Sequence, residues 1–335
     1  MDKRVIPVCF CANDKYLPYT AVTIQSIAEN SNADNFYKLY ILYSDISEKY
    51  QEMLKEQVSA YKNFSLDFVD VNDYVEKHNL NEVYTTEAFS KEVYYRLLIP
   101  YMFSNYDKVI YLDSDIICLT DIAKMADGDS GCMIKAVRDY EFLINGSEFR
   151  RRAEELGLKD DHNYFNSGVI VFNTNIFIQE ISEEKLFDYV RRNMYSAPDQ
   201  DILNIVCEGK VDFLEMNWNV FEVDMSKKMI KEFRSAYNIA RKNPYIIHYS
   251  RVKPWKNFIM TQRTKYFWMT VRETKFADII YLGLKNISVE EMSYHNVIYT
   301  DILNGQKYGL RFIIDCAALW LTMKLDALKT PRPER

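Results

Sequence analysis

The chain carries three Asp-x-Asp triplets, a spacing at which two carboxylates can share one divalent cation. They are Asp113-Ser114-Asp115, Asp127-Gly128-Asp129 and Asp199-Gln200-Asp201. The first follows the apolar run 109–112, and two carboxylates at the end of a buried strand repel each other and resist removal from water. A cation that prefers oxygen ligands, such as Mg2+, Mn2+ or Ca2+, relieves both problems. The sequence therefore predicts a metal site at Asp113 and Asp115, whereas the Asp-Gly-Asp triplet is typical of a solvated turn.

Two further side chains gain a chemical role only if the fold brings them to that triplet. His248 follows the short apolar run 245–247 and is one of four histidines; it is either a third metal ligand or a structural histidine. Lys253 precedes Pro254-Trp255, and it either contacts phosphate as a point charge or lies on the surface. The nine glycines form neither a Gly-x-x-x-x-Gly-Lys loop nor a Gly-x-Gly-x-x-Gly turn, which disfavours P-loop kinases and Rossmann dehydrogenases.

Short apolar runs alternate with helical patterns along most of the chain. Strands are predicted at 5–11, 36–43, 64–71, 108–112, 132–137 and 168–173, and helices at 18–30, 47–61 and before Pro100. Ser47 is the predicted N-cap of the second helix. This alternation predicts an α/β fold with a mainly parallel central sheet and flanking helices, in which ligands bind beyond the carboxyl ends of the strands.

Strand signals stop after about residue 258, and the segments 266–284 and 310–328 have helical patterns. We therefore expect a main domain over residues 1–260 and a helical C-terminal appendage over residues 261–335. No internal repeat or low-complexity segment interrupts this organisation.

Composition narrows the class of protein. The formal net charge of -6 argues against a nucleic-acid-binding protein, which normally presents a basic face. None of the six cysteines forms a Cys-x-x-Cys pair, which is typical of a reduced, intracellular chain. The N-terminus lacks the pattern of a signal peptide, and no apolar run reaches the roughly 18 residues of a membrane span. We therefore expect a cytoplasmic protein.

Several separated segments resemble one known family in the order in which they occur. They are Phe10–Tyr16, Tyr95-Arg96-Leu97, Tyr111–Asp115, Tyr164–Val169, Asp199–Asn204, His248-Tyr249 and Lys253-Pro254-Trp255. Through them the chain is similar to bacterial members of glycosyltransferase family 8, among them lipooligosaccharide galactosyltransferases and general-stress-type enzymes. The resemblance spans roughly residues 5–258. It implies a GT-A nucleotide-diphospho-sugar transferase fold and a retaining, metal-dependent transfer of glucose or galactose from a UDP-sugar.

The resemblance also implies roles for individual residues. Asp113, Asp115 and His248 would hold Mn2+ or Mg2+. The donor-binding set would comprise Cys11, Asn13, Tyr16, Arg96, Ser114, Asn166, Ser167, Arg251 and Lys253. The family often has Asp at the position of Asn13 and Gly at that of Arg251. Asn13 would therefore contact the base through an amide instead of a carboxylate. Arg251 would either turn away from the donor or add a phosphate contact.

The catalytic residues implied by the resemblance are Asp139, Asp199 and Gln200, which would lie beside the donor sugar. Gln200 would lie below the anomeric carbon, but an amide is a poor nucleophile because its lone pairs are delocalised. We therefore expect same-face substitution, in which the metal, Arg96 and Lys253 stabilise the departing diphosphate. Two other functions stay open at this level, namely a nucleotidyltransferase that makes sugar nucleotides and a non-catalytic sugar-nucleotide-binding protein.

The C-terminal tail has a composition of its own. Residues 305–335 carry six Lys or Arg against three Asp or Glu, around a Trp-containing apolar run at 312–321. Such a helix either lies in a membrane interface or docks on the main domain. The predicted acceptor is a glycan, glycolipid or glycoprotein, and the predicted location is the cytoplasm, with peripheral contact to the membrane if the tail inserts.

Overall fold

The computed structural model describes residues 3–83, 90–140, 146–192, 195–222, 231–250, 253–257 and 263–284. The predictions made for Arg251 and for the tail beyond residue 284 lie outside these residues. Within them, a seven-stranded sheet with flanking helices forms the body of the protein.

The sheet has the spatial order β3-β2-β1-β4-β7-β6-β8. Its strands are β1 (Arg4–Cys11), β2 (Asn35–Tyr43), β3 (Phe64–Asp70), β4 (Lys108–Leu112), β6 (Ile134–Arg138), β7 (Phe165–Asn173) and β8 (Val211–Phe213). The pairs β1–β2, β2–β3, β1–β4 and β6–β8 are parallel, and only β7 runs antiparallel to both of its neighbours. The predicted mainly parallel α/β sheet is confirmed.

Helices connect and cover these strands. They are α1 (Leu17–Asn30), α2 (Glu48–Ser59), α3 (Asn72–Lys77), a 3-10 helix (Lys91–Leu98) continued by α4 (Ile99–Met102), α5 (Gly146–Leu156), α6 (Thr174–Glu180), α7 (Glu183–Arg192), α8 (Pro198–Val206), α9 (Lys231–Ala240), α10 (Pro254–Asn257), α11 (Thr264–Val271) and α12 (Ala277–Leu284). Short 3-10 turns occur at Ile122–Ala126, Asp161–Asn163 and Met216–Trp218. Ser47 occupies the N-cap position of α2 as predicted, but its hydroxyl bonds Asp14 instead of the helix (3.1 Å).

Two apolar clusters fill the two faces of the sheet. One packs α1 and α2 against β1, β2 and β4, and it includes Phe267, Trp268 and Tyr281 from α11 and α12. The other packs the 3-10 helix, α7 and α8 against the opposite face. The first two helices of the predicted C-terminal appendage therefore share the core of the main sheet.

A second, two-stranded sheet is formed by β5 (Ile116–Cys118) and β9 (Ile246–His248), in which Ile116 lies opposite His248. On its other side β5 meets hydroxyl groups of α1. Thr23 Oγ1 donates to the Ile116 carbonyl (2.8 Å), and the Cys118 N–H donates to Ser26 Oγ (2.9 Å). A buried polar stripe on α1 therefore fixes the chain directly after the first Asp-x-Asp triplet.

The segment 266–284, which has a helical pattern, forms two helices, α11 and α12. Thr274 lies between them, and its hydroxyl donates to the Val271 carbonyl (2.8 Å), a local bond that competes with helix continuation. In the described part of the chain, no helix is long and apolar enough to cross a membrane.

Candidate active site

The polar side chains of the first triplet lie where several strands end. Asp113 follows β4, and Asp139 follows β6. Because β7 is antiparallel to both strands, its first residues lie at the same edge: the Asp113 N–H donates to the Gly168 carbonyl, and the Asp139 N–H donates to the Tyr164 carbonyl (both 2.9 Å). The sheet therefore gathers residues from three separate strands at one edge.

A cleft of about 470 Å³ opens at this edge, a volume within the usual range of small-ligand pockets. Fourteen of the fifteen predicted site residues line it, and Arg251 is the one that lies outside the described residues. The fourteen are Cys11, Asn13, Tyr16, Arg96, Asp113, Ser114, Asp115, Asp139, Asn166, Ser167, Asp199, Gln200, His248 and Lys253.

Asp113, Asp115 and His248 converge within the cleft. One ligand atom from each lies within 4.8 Å of the others. His248 Nε2 is 3.3 Å from Asp115 Oδ1 and 3.6 Å from Asp113 Oδ2. Gly168 leaves room for this approach, because a Cβ at that position would lie 2.4 Å from His248 Cε1 and 2.6 Å from Asp113 Oδ2. The donor atoms are two carboxylates and an imidazole, a set that fits a divalent cation.

Backbone pairing holds the histidine of this triad in place. His248 ends β9, and the N–H of Tyr249 donates to the Asp115 carbonyl (2.9 Å). On its other side the His248 N–H donates to the Val220 carbonyl (2.9 Å). The ring is buried, and its Nδ1 lies 2.9 Å from Asn219 Oδ1. The imidazole is therefore fixed by contacts on both sides of the strand.

Lys253 and Asp115 form a close ion pair at the start of α10. Burial alone would raise the pKa of Asp115, but the Lys253 ammonium lowers it well below its usual value. Burial alone would lower the pKa of Lys253, and the Asp115 carboxylate raises it above its usual value. Both groups therefore stay charged in this cleft.

Arg96 links the triplet to the start of α8. Its guanidinium lies 3.0 Å from Asp113 Oδ1 and 3.2 Å from Asp199 Oδ2, and it donates to the Ser167 carbonyl (3.0 Å). Burial raises the pKa of Asp199, and Arg96 opposes that shift. The cation therefore holds two carboxylates that belong to different elements.

Gln200, in the first turn of α8, is held at both ends of its amide. Its Oε1 accepts from the Ser167 N–H (3.0 Å), while its Nε2 donates to Asp139 Oδ2 (3.1 Å) and to Tyr164 Oη (3.2 Å). Asp201, two residues on, turns away and accepts from Arg152 and Tyr164 (both 2.6 Å). Within this triplet only Asp199 and Gln200 face the cleft.

The remaining predicted donor-binding residues form the wall at the end of β1. Asn13 Oδ1 accepts from the Tyr16 N–H (3.2 Å) at the start of α1. Ser114 Oγ accepts from Thr20 Oγ1 (2.8 Å), which anchors the triplet to the same helix. Cys11 is half-buried, and burial raises the pKa of its thiol far above the usual value, so it serves as a neutral wall residue.

The cleft carries an excess of negative charge among the described residues. Five carboxylates line it (Glu92, Asp113, Asp115, Asp139 and Asp199) against three cationic side chains (Arg96, Lys253 and Lys256). An anionic diphosphate would be repelled by such a wall, and a divalent cation at the triad removes that repulsion.

The Glycosyl transferase family 8 model matches residues 7–258, a span that contains every predicted site residue and, apart from the first residues of β1, every strand of the described chain. The chain belongs to glycosyltransferase family 8. Two curated relatives of this glycosyltransferase are the general stress protein A of Bacillus subtilis, 26% identical over 79% of this chain and 92% of the relative, and the lipopolysaccharide 1,2-glucosyltransferase of Escherichia coli K12, 24% identical over 91% and 89%.

Solved structures give the same fold. The bifunctional glycosyltransferase WbbM superposes with a TM-score of 0.72 at 27% identity, over 84% of this chain and about half (52%) of WbbM. The galactosyltransferase LgtC, solved with donor and acceptor sugar analogues, superposes with a TM-score of 0.63 at 21% identity over 80% of this chain and 96% of LgtC. The predicted family and GT-A fold are confirmed, and family membership favours a glycosyltransferase over a nucleotidyltransferase or a non-catalytic binding protein.

Some residues of this glycosyltransferase site escape sequence reasoning. Asn219 contacts a triad member from a segment, 216–221, that has no motif. Tyr111 donates to Asp113 Oδ1 (2.6 Å), although its position in a buried strand indicates only packing. Glu92 lines the cleft, and its buried Oε2 has no hydrogen-bond partner among the described residues. Its place one turn before Arg96, on the same helix, is the signal that points to it.

Proposed function

We propose that this family 8 enzyme is a retaining hexosyltransferase that moves glucose or galactose from a UDP-sugar to a glycan, glycolipid or glycoprotein acceptor. The observation that carries the proposal is the Asp113, Asp115 and His248 triad in a cleft whose described lining has two more carboxylates than cations. Such a cleft accepts a diphosphate only together with a cation. Mn2+ is the expected ion, with Mg2+ as the alternative.

The triad residues would hold the ion at the diphosphate end of the cleft. When bound, the ion supplies Lewis-acid stabilisation of the leaving diphosphate. Lys253 is the cation of this chain that would join it, because its ammonium lies beside Asp115 and can turn to a phosphate oxygen. Arg96 forms ion pairs with Asp113 and Asp199. We therefore assign it two roles, which are to hold those carboxylates in place and to contact the donor.

Asp139, Asn166, Ser167, Asp199 and Gln200 would bind the donor sugar. The two ends of the Gln200 amide are already engaged by Ser167 and Asp139, which fixes it in place without freeing an electron pair for attack. This geometry supports same-face substitution over a double displacement through Gln200. Asp139 and Asp199 would then stabilise the positive charge that develops on the sugar.

Hydrolysis of a panel of nucleotide-sugars, with and without Mn2+ and with the product anomer followed by NMR, tests the proposal. We expect UDP-glucose or UDP-galactose to be hydrolysed only with metal, and the α-hexose to appear first from the α-linked donor. A β-hexose appearing first would refute retention, and activity unchanged by chelation would refute metal dependence. A hexosyl adduct on Gln200, Asp199 or Asp139, detected by mass spectrometry, would refute same-face substitution.

Asp113→Asn and Asp127→Asn form a matched pair for the same assay. Both variants neutralise the first carboxylate of an Asp-x-Asp triplet. Asp127 lies on the surface, where it pairs with exposed Arg4 and precedes Gly128 (φ 73°) in a bend. We expect Asp113→Asn to abolish metal-dependent hydrolysis and Asp127→Asn to leave it unchanged, because exposed ion pairs contribute only about 0–1 kcal/mol.

The acceptor and its location are proposed from the relatives. Lipopolysaccharide glucosyltransferases of Escherichia coli are among them, which favours a glycolipid or cell-surface glycan acceptor. We propose that the enzyme works in the cytoplasm and that residues 305–335 contact the membrane peripherally. Liposome flotation of the full chain and of residues 1–300 checks the membrane contact, and equal partitioning of the two would rule it out.

A further inference from the structure

Asn219 lies behind the metal triad, outside the cleft lining and fully buried. It follows the 3-10 turn at Met216–Trp218 and precedes Val220, whose N–H donates to the Ile246 carbonyl and whose carbonyl accepts from the His248 N–H (both 2.9 Å). The backbone therefore fixes Asn219 beside the ring of His248. Its amide contacts the side chains of His248 and Asn166, each at 2.9 Å.

The direction of these hydrogen bonds is set by a backbone group. The Gly168 N–H can only donate, so the Asn166 atom that faces it (3.0 Å) must be the carbonyl Oδ1. Asn219 meets the same Oδ1 and must present its NH2 group there. The atom of Asn219 that faces His248 Nδ1 is therefore its carbonyl oxygen, which can only accept. His248 must then carry a proton on Nδ1.

The opposite end of the chain of bonds agrees with this direction. With its Oδ1 towards Gly168 and Asn219, Asn166 presents its NH2 group to Asp139 Oδ2 (3.3 Å), a carboxylate oxygen that accepts. Every donor in the series of hydrogen bonds from Asp139 to His248 therefore faces an acceptor.

We infer that Asn219 is a positioning residue that keeps the His248 proton on Nδ1 and so turns the bare Nε2 towards Asp113 and Asp115. With the proton on Nε2, the ring would donate to the Asp115 carboxylate 3.3 Å away and offer no lone pair to a cation. Asn219 removes that competing arrangement by supplying an acceptor on the other side. This inference rests on the proposed metal-dependent function. It adds the residue that readies the third ligand before a metal arrives.

The same bonds join the metal triad to the donor-sugar residues. Asn166 contacts both Asn219 and Asp139, and Asp139 also accepts from Gln200 (3.1 Å). Loss of the Asn219 amide therefore leaves Asn166 with one partner fewer, at a position that faces the cleft.

Three variants of the full chain separate the role of Asn219 from simple packing. Asn219→Leu keeps the number and branching of the side-chain heavy atoms and removes the acceptor. Asn219→Asp keeps an oxygen towards Nδ1 and loses the NH2 group that meets Asn166, so it tests the acceptor by itself. Gln57→Met is the matched control: Gln57 is also buried, its amide donates to the Ala21 carbonyl (2.9 Å) and accepts from the Lys275 N–H (3.1 Å), and it lines no part of the cleft.

The first measurement is the protonation of His248 in the metal-free protein. Long-range 1H–15N NMR of 15N-histidine-labelled protein at about pH 8.5 distinguishes Nδ1–H from Nε2–H. The chain has four histidines, and the signals lost in His248→Gln assign the ring. We expect Nδ1–H in the wild type, in Asn219→Asp and in Gln57→Met, and Nε2–H in Asn219→Leu.

The second measurement is the dissociation constant for Mn2+ by electron paramagnetic resonance. We expect Asn219→Leu to bind Mn2+ about 10–100-fold more weakly than the wild type, the usual cost of losing an outer partner of a metal ligand. Asn219→Asp and Gln57→Met should stay within about threefold of the wild type, less than that cost.

The outcomes distinguish the inference from the proposed function. Wild-type protein that binds no Mn2+ overturns the proposed function, while the NMR result still decides the state of His248. Nε2–H in the wild type, or wild-type Mn2+ affinity in Asn219→Leu, overturns the inference. If Asn219→Leu fails to fold, the wild-type and Asn219→Asp spectra decide it: a proton on Nε2 in either of them contradicts the role assigned to Asn219.

Discussion

Gly168→Ala places one methyl group between two proposed metal ligands. The new Cβ would lie 2.4 Å from His248 Cε1, whereas ordinary van der Waals contact begins at about 3.4 Å, so the ring must withdraw by about 1 Å. Metal–ligand distances in protein sites hold to within about 0.2 Å. The displacement is several times that tolerance, and Asp113 Oδ2, at 2.6 Å, must move as well. We therefore expect Mn2+ affinity to fall at least about 100-fold, the upper end of the effect of losing only an outer partner.

Gly283→Ala is the control for this substitution. It adds the same methyl group, but a Cβ at Gly283 in α12 meets no atom within 4 Å. That variant should keep wild-type Mn2+ affinity and gain about 0.5–1 kcal/mol in free energy of unfolding, because alanine favours the helix. Gly168→Ala should lose about 1–3 kcal/mol, the usual cost of overpacking.

The assay is Mn2+ titration by electron paramagnetic resonance, with urea unfolding of the same samples to show that each variant is folded. Folded Gly168→Ala protein with wild-type Mn2+ affinity would refute the reasoning, since it would mean that His248 and Asp113 need not approach each other at this glycine. Loss of affinity in Gly283→Ala would show that the titration reports something other than the triad.

Two further predictions concern charged groups. Lys253→Met removes the cation that pairs with Asp115, so Mn2+ binding in the absence of nucleotide should tighten by up to about tenfold, while kcat/KM for the UDP-sugar should fall. Weaker Mn2+ binding together with unchanged kcat/KM would contradict both assignments of Lys253. Burial lowers the pKa of His78, and Glu183 opposes that shift. The neutral His78 ring therefore contributes to stability above the unfolded pKa of about 6.5, and this contribution is lost as the pH falls through the pKa of the folded state. Between about pH 7.5 and pH 5.5, urea unfolding should show a larger loss of free energy for the wild type than for His78→Gln, which does not titrate in that range; equal losses would exclude His78 as the source.

Local signals account for the parts of the fold that sequence reasoning predicted. The six predicted strands span five to eight residues each, and all six appear in the sheet. By contrast β5 and β8 have three residues each, too few for a period to show. The antiparallel direction of β7 has no local signal, because it depends on the path of the chain between Asp139 and Phe165.

The residues of the candidate site also divide into those that sequence reasoning predicted and those that it missed. Asp113 and Asp115 stand out because carboxylates rarely follow an apolar strand without a partner. The fourteen described site residues came from a resemblance of whole segments, and the structure brings all of them to one cleft. Asn219 was missed because its partner His248 lies 29 residues away and a single asparagine carries no pattern. A contact of this kind exists only in the folded chain, and no short sequence motif contains both of its partners.

The pairing of β5 with β9 has a consequence for synthesis. A ribosome releases α1, β4 and the Asp113 triplet long before β9 emerges, and Lys253 follows Asp115 by 138 residues. Before β9 is synthesised, Arg96 is already present in the nascent chain and can pair with Asp113. The edge of β5 that pairs with β9 is then still exposed. Domains grow from the N-terminus, and long-range strand pairing forms slowly. The proposed metal site can thus be completed only after β9 has been synthesised, and chains terminated before it carry the Asp113 triplet without His248 or Lys253.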